Sequence, residues 1–381
     1  MRTDLFCRVV DNYGDIGVCW RLARRLAQGH GWPLRLWVDD LVSFARLEPA
    51  VDLHAARQVV QGVEVIHWSQ PAPDLEPGEV AIEAFACDPP AAYVARMAAE
   101  PTQRTTWINL EYLSAEDWVG ACHGLPSPQP NGLKKAFFFP GFTPETGGLL
   151  REPDLLAQRD AWQASREPAT AMLRTLGVTE AALGAWQEGA RLATLFCYPH
   201  APWAGLLQGL AQAGRTVLLV PQGVAPGLDD AAQGTPLNVA RIPFVRQPDF
   251  DRLLWSADLN VIRGEDSFVR ALWAGRPLVW QIYPQDENAH LDKLAAWQDR
   301  HGGPAEVRRL NEAWNTTLPG QTTAGIAAGA RAVAEALHAA LSPPAWQSWQ
   351  THAWQACQAL ARQEDLADAL VRFCLRPAQT G

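Results

Sequence analysis

The stretch DLNVIRGEDSFVRALWAGRPLVWQI, residues 258–282, decides the fold. Its first apolar run, LNVI (259–262), has the length of a strand. Asp266 to Ala274 then repeat apolar residues at helical spacing, Gly275 stops the helix, and PLVWQI (277–282) is a second strand. Two strands joined through a helix are parallel neighbours, because a hairpin has no room for one. The alternation extends outward in both directions. LATLFCY (192–198), TVLLV (216–220) and NVARIPF (238–244) read as strands. Helices cover WAGLLQGLAQAG (203–214), closed by its glycine, and Pro248 to Ser256, and Glu287 opens another. The second half is therefore an open parallel sheet with helices on its faces.

The first half follows the same plan. A strand from Leu5 to Val10 enters the polar turn DNYGDIG, a helical pattern runs from Val18 to Gln28, and LRLWV (34–38) is the next strand. Further strands are expected at 63–68, 79–87 and 105–113. Residues 149–168 turn charged and helical, as a connector would, and the tail from Pro343 to Leu375 reads as one or two amphipathic helices. Two Rossmann-like halves facing a cleft is the architecture this pattern predicts.

Composition narrows the function classes. The 381 residues are 48% apolar and 19% charged, which is globular rather than disordered. The net charge is −9, with no run of lysine or arginine, so a nucleic-acid footprint is not expected. Seven cysteines are odd in number and singly spaced, forming no CxxC pair and no disulfide framework. No signal peptide or membrane span is visible, and a cytosolic protein is the expectation.

Two turns carry the chemistry. Asp11 and Asp15 sit in DNYGDIG, where the first strand hands over to its helix. Ligands of open parallel sheets bind outside the carboxyl ends of the strands, so these acids face the expected cleft. Asp15 reads equally well as an N-cap. At the second turn, Gly264 to Ser267 open a helix whose free amides and positive dipole end suit an anion, with Arg263 adding charge. Glu265 is wrong for a phosphate but right for sugar hydroxyls, and Asp266 or Ser267 can equally be caps. Phe244 and Phe250 flank Gln247, and Phe196 and Tyr198 end the strand TLFCY, which together offer aromatic faces and an amide for a base. These are the parts of a glycosyltransferase.

The motifs DNYGDIGVCWRLARRLA, INLEYLSAEDWV, AFFFPGFTPETGGLLRE, LFCYPH and PFVRQPDFDRLLWSADLNVIRGEDSFVRALWAGRPLVWQIYPQDENAHLDKL resemble the bacterial protein-arginine rhamnosyltransferases that modify elongation factor P. The resemblance covers nearly the whole chain. It implies an α/β GT-B fold: a Rossmann-like acceptor-binding domain over 1–155, a helical linker over 156–188, and a nucleotide-sugar-binding domain over 189–359. C-terminal helices of about 360–381 would complete the first domain. It implies transfer of L-rhamnose from dTDP-β-L-rhamnose, with inversion, to an arginine of elongation factor P, which then rescues ribosomes stalled on polyproline. Asp15 would be the general base, assisted by Asp11, and Glu265 would also serve catalysis. Glu265 and Ser267 would hold the donor, with Arg263, Gly264 and Asp266 in the same loop. Tyr13, Gly14, Phe196, Tyr198, Phe244, Gln247 and Phe250 would complete the donor site. No metal and no cofactor beyond the co-substrate is expected, and the protein would be a cytoplasmic monomer. The competing readings are a GT-B transferase or epimerase acting on a small-molecule nucleotide sugar, and a non-catalytic nucleotide-sugar-binding protein.

Overall fold

The computed structural model describes residues 1–10, 13–99, 105–317 and 320–375. The chain forms two compact units, one from Met1–Pro153 with the chain from Ala361 onward, the other from Asp154–Leu360. Among the described residues no helix is long and apolar enough to cross a membrane.

The first unit is built on eight strands: β1 (Thr3–Cys7), β2 (Leu34–Val38), β3 (Arg57–Val60), β4 (Val63–His67), β5 (Val80–Ala84), β6 (Thr106–Leu110), β7 (Pro126–Pro128) and β8 (Lys134–Phe138). Their order is β3-β4-β2-β1-β5-β6-β8-β7. Neighbours are parallel except at the two edges, where β3 and β7 run antiparallel to β4 and β8. The chain leaves β1 for β2 on one side and later returns to pair β5 on the other, so the sheet reverses direction of growth beside β1.

β1 stops three residues earlier than its apolar run suggests, for a visible reason. Beyond Cys7 the amides leave the ladder for carboxylates: Val9 N–H donates to Asp39 Oδ1 at 3.0 Å and Val10 N–H to Asp15 Oδ2 at 2.8 Å. The following helix accordingly starts at Gly14, not Val18, and runs to Arg24 before a π-helical turn at Arg25–Gly29. Inside β1, the buried Asp4 carboxylate accepts from Arg35 twice at 2.6 Å, Trp37 Nε1 at 2.8 Å, Tyr93 Oη at 2.7 Å and Gly78 N–H at 2.8 Å. A buried charge so fully paired is a structural tie among β1, β2 and the approach to β5.

The end of the chain packs back here. Leu366 and Leu370 of the helix Leu366–Leu375 join Leu5, Ile16 and Leu26 in one core. Arg151 N–H donates to Asp365 Oδ1 at 2.8 Å, and Arg25 reaches Asp365 at 3.2 Å and Asp368 at 2.8 Å. Gly148 makes the close approach possible: its φ is +73°, and an added Cβ would lie 2.2 Å from the Glu364 carbonyl oxygen. Gly148→Ala is expected to destabilise the first unit by about 2 kcal/mol or more, read as a lowered urea midpoint.

The second unit carries β9 (Arg191–Leu195), β10 (Thr216–Pro221), β11 (Leu237–Ile242), β12 (Leu259–Arg263) and β13 (Leu278–Gln281) in the order β11-β10-β9-β12-β13, all parallel. Growth reverses beside β9. Helices Leu155–Gln163, Glu167–Thr175 and Glu180–Gln187 occupy the stretch read as a linker and belong to this unit. Glu287 does not open a helix: with φ +55° it lies in the short turn Asp286–Asn288, and the helix begins at Ala289. The Ala-rich helix Thr323–Ala340 lies against helix Trp203–Ala213 so closely that a Cβ on Gly205 would meet the Ala330 oxygen at 2.1 Å.

Candidate active site

The residues singled out in the sequence fall into two groups, one in each unit, each at the carboxyl edge of its sheet where strand order reverses. Open α/β sheets bind ligands at such points.

In the first unit, Asp11 lies outside the described residues. Asp15 does not cap its helix. The N-cap position belongs to Tyr13, which makes no side-chain cap bond, and Gly14 and Asp15 form the first turn. The Asp15 carboxylate is 3% exposed, and through Oδ2 it holds the Val10 amide. The Cys7 thiol is pushed well up by its hydrogen bond with Cys19 and by burial, with the Asp15 charge contributing. Burial pushes Cys19 up as well. Neither thiol offers a thiolate nucleophile beside Asp15.

A second feature of this edge escaped the sequence. Phe85 and Ala86, just after β5, adopt φ of +59° and +53°. Left-handed backbone at a non-glycine residue costs on the order of 1–3 kcal/mol. It is held from β6: Phe85 N–H donates to the Leu110 oxygen at 2.7 Å and Ala86 N–H to Asn109 Oδ1 at 3.0 Å. The conformation sets the Phe85 ring on Tyr112, centroids 4.4 Å apart and planes 14° from parallel.

In the second unit, Gly264 is the N-cap of helix Glu265–Ala274, with φ +68° and no side chain to occupy the first-turn amides. The capping readings of Asp266 and Ser267 are thereby set aside. Both lie within the first turn with Glu265, and all three are half-buried. Gly264 is pinned to β13, donating to the Gln281 oxygen at 3.1 Å and accepting from Trp280 Nε1 at 2.9 Å. The Arg263 guanidinium lies 4.7 Å over the Tyr198 ring and reaches the Cys197 oxygen.

Tyr198 is in turn fixed by Gln281, whose Oε1 accepts its amide at 2.8 Å while Nε2 meets His200 at 3.2 Å. Burial and His290 hold His200 below its ordinary pKa, and burial pushes the Cys197 thiol up to about 12. Phe196 and Phe250 meet edge to face at 4.9 Å, Gln247 is buried at the start of helix Gln247–Ser256, and Phe244 is 46% exposed. The helix bearing Gln247 and Phe250 is tied to the helix bearing Glu265 by a buried bidentate pair, Arg270 with Asp251 at 2.9 and 2.7 Å. Gln281 and the Arg270–Asp251 pair were not evident in the sequence. A polar residue ending an otherwise buried strand was the only sign of the first, and residues nineteen apart on separate helices gave none of the second.

Known proteins resemble this chain throughout. Residues 3–375 match the family described as Elongation-Factor P (EF-P) rhamnosyltransferase EarP. A protein-arginine rhamnosyltransferase of Pseudomonas putida is 49% identical, covering 97% of both chains. One from Neisseria meningitidis is 39% identical over 91% of this chain and 88% of its own. A solved structure concerning EarP-mediated arginine glycosylation of translation elongation factor EF-P is 34% identical, with a TM-score of 0.62 over 98% of each chain. A plainer likeness, to TcCGT1 in complex with UDP at 11% identity and TM-score 0.52, concerns the fold alone. The α/β fold with a parallel sheet in each of two domains is that of the GT-B glycosyltransferases. On this match along the length of its sequence, the chain belongs to the EarP family of elongation factor P rhamnosyltransferases.

Proposed function

We propose that the chain transfers L-rhamnose from dTDP-β-L-rhamnose to an arginine of elongation factor P, with inversion. The observation that carries this reading is the family match from residue 3 to 375, with a buried carboxylate, Asp15, at the edge where an acceptor-binding domain needs one. In the reaction a guanidinium nitrogen forms a bond to the anomeric carbon as the bond to the diphosphate oxygen breaks. The nitrogen's proton passes to Asp15, and dTDP leaves with the electron pair. One displacement without an enzyme nucleophile inverts the centre. Asp11 acts as a second carboxylate attracting the guanidinium.

The donor belongs to the second unit. The amides at the start of helix Glu265–Ala274, with the Ser267 hydroxyl and Arg263, receive the diphosphate and stabilise it as it departs. That charge is supplied without a metal, and the reading is metal-independent. Tyr198, Phe196, Phe250, Phe244 and Gln247 surround the nucleotide, and Tyr13 and Gly14 are further donor-binding residues. Glu265 accepts hydrogen bonds from sugar hydroxyls. A monomer in the cytoplasm, alongside the translation machinery, suits that acceptor.

Intact-mass analysis of elongation factor P after incubation with the protein and dTDP-rhamnose tests the reading. A gain of one deoxyhexose, mapped to arginine, is expected; sugar found only on small acceptors would favour the rival transferase instead. Glu265→Ala is expected to raise the dissociation constant for dTDP-rhamnose by about 10–100-fold, the worth of a hydrogen bond to a charged group. An unchanged constant by calorimetry removes Glu265 from the donor site.

A further inference from the structure

Three neighbouring strands release their chains side by side at the carboxyl edge of the first sheet. β1 leads into Arg8–Val10 and on to the helix of Asp15, β5 into Phe85, and β6 into Glu111 and Tyr112. Strands lie about 4.8 Å apart, so the three releases span about 10 Å, within reach of one long side chain. Phe85 packs on the same core as Val9 and Tyr13, and Tyr13 is the N-cap of the helix whose first turn holds Asp15. Its stack on Tyr112 is partly exposed.

A turn that needs two left-handed residues ordinarily takes glycine or asparagine. Here it takes Phe85 and Ala86, braced by hydrogen bonds from β6, and its result is a ring presented at the sheet edge. Strain retained at a sheet edge of this kind points to use. The surroundings select the ligand. Carboxylates at Asp15 and Glu111 repel an anion, and an ammonium, being more strongly hydrated, suits a ring face less well than a guanidinium. A guanidinium is planar, weakly hydrated, stacks on aromatic faces and pairs with carboxylates.

We infer that the Phe85–Tyr112 stack is the platform on which the guanidinium of the acceptor arginine lies while Asp15 receives its proton. The inference rests on the arginine-acceptor reading above and adds residues to it. Stacking fixes the plane of the guanidinium and so aims one nitrogen, a task that a carboxylate alone leaves to rotation.

The test uses the full chain as wild type, Tyr112→Ala, Tyr112→Phe and Phe85→Leu. Nα-acetyl-arginine amide is titrated by NMR, and KM and kcat are measured with elongation factor P. Tyr112→Ala is expected to raise both the arginine-amide dissociation constant and the acceptor KM about tenfold. Its kcat should fall about tenfold as well, because a guanidinium free to rotate no longer aims one nitrogen at the anomeric carbon. Tyr112→Phe, which keeps the ring, should match wild type, and Phe85→Leu should follow the alanine variant. Donor affinity should not move. Wild-type arginine binding and acceptor KM in Tyr112→Ala, or a loss of donor affinity in its place, overturns the platform. If the wild type transfers no sugar to elongation factor P, the proposed function falls, and the arginine-amide titration still decides the platform alone.

Discussion

With Asp15 as the proposed general base, Asp15→Asn is expected to lower kcat for sugar transfer by about 10²–10⁴, the usual worth of such a group. The dissociation constant for dTDP-rhamnose is expected to move by no more than about threefold, because Asp15 itself is not among the proposed donor contacts. The size follows from the acidity mismatch. A guanidinium has a pKa near 13.8 and an ordinary aspartate near 3.9. Moving the proton outright before attack would cost on the order of 13 kcal/mol. On the proposed reading Asp15 therefore acts while the carbon–nitrogen bond forms and the nitrogen loses its basicity, first orienting the cation through a charge-assisted hydrogen bond. Asparagine can still accept the Val10 amide that Asp15 Oδ2 now holds at 2.8 Å, so the turn stays closed while charge and basicity are lost. A time course of intact mass, with calorimetry of the donor, checks both halves. Turnover near wild type would take the base assignment away from Asp15.

Arg270→Ala is expected to destabilise the second unit by about 3–5 kcal/mol, since it removes the bidentate guanidinium from the buried Asp251 carboxylate. Both side chains are almost wholly buried, at 1% and 6% exposure, and water cannot readily replace the missing partner. The measurement is the urea midpoint of the second unit. Replacing both residues, as in Arg270→Met with Asp251→Leu, should restore most of the loss, because what costs is the unpaired charge and not the missing bridge. Deleting the exposed Arg174–Glu180 pair, by contrast, should leave the midpoint where it is. If the proposed donor site is right, donor affinity should fall with Arg270→Ala as well, because the pair holds the helix of Gln247 and Phe250 against the helix of Glu265.

The second sheet was legible almost residue by residue. Apart from the alternating edge strand β11, its strands are mostly apolar and buried, and Gly214 and Gly275 end two of the helices between them, so burial and chain geometry leave the same mark on the sequence. The first sheet was read through its centre only. β3 has one buried residue in four, and β8 opens on two lysines, so neither shows a hydrophobic period. Phe85 hid inside EAFAC, which reads as strand throughout, because the left-handed turn there uses no glycine. At the candidate site the residue types were visible and their bonding was not. Asp15 and Gly264 stood out in their motifs, whereas the grip of Asp15 on Val10, five residues away, leaves no pattern of residue types, and that of Gln281 on Tyr198 depends on distant segments brought together by the fold.

The return of Leu366–Leu375 to the core around Leu5 and Ile16 also orders events during synthesis. Residues up to Pro153 emerge from the ribosome long before Ala361, with the whole second unit translated in between. At about 5–20 residues per second, the nascent first unit waits roughly 10–45 s with its flank uncovered. The second unit, contiguous in the chain, has no such delay and can be the first to close. A release of the chain before Leu366 would leave an apolar flank for chaperones or proteases to find, with every strand of both sheets already made.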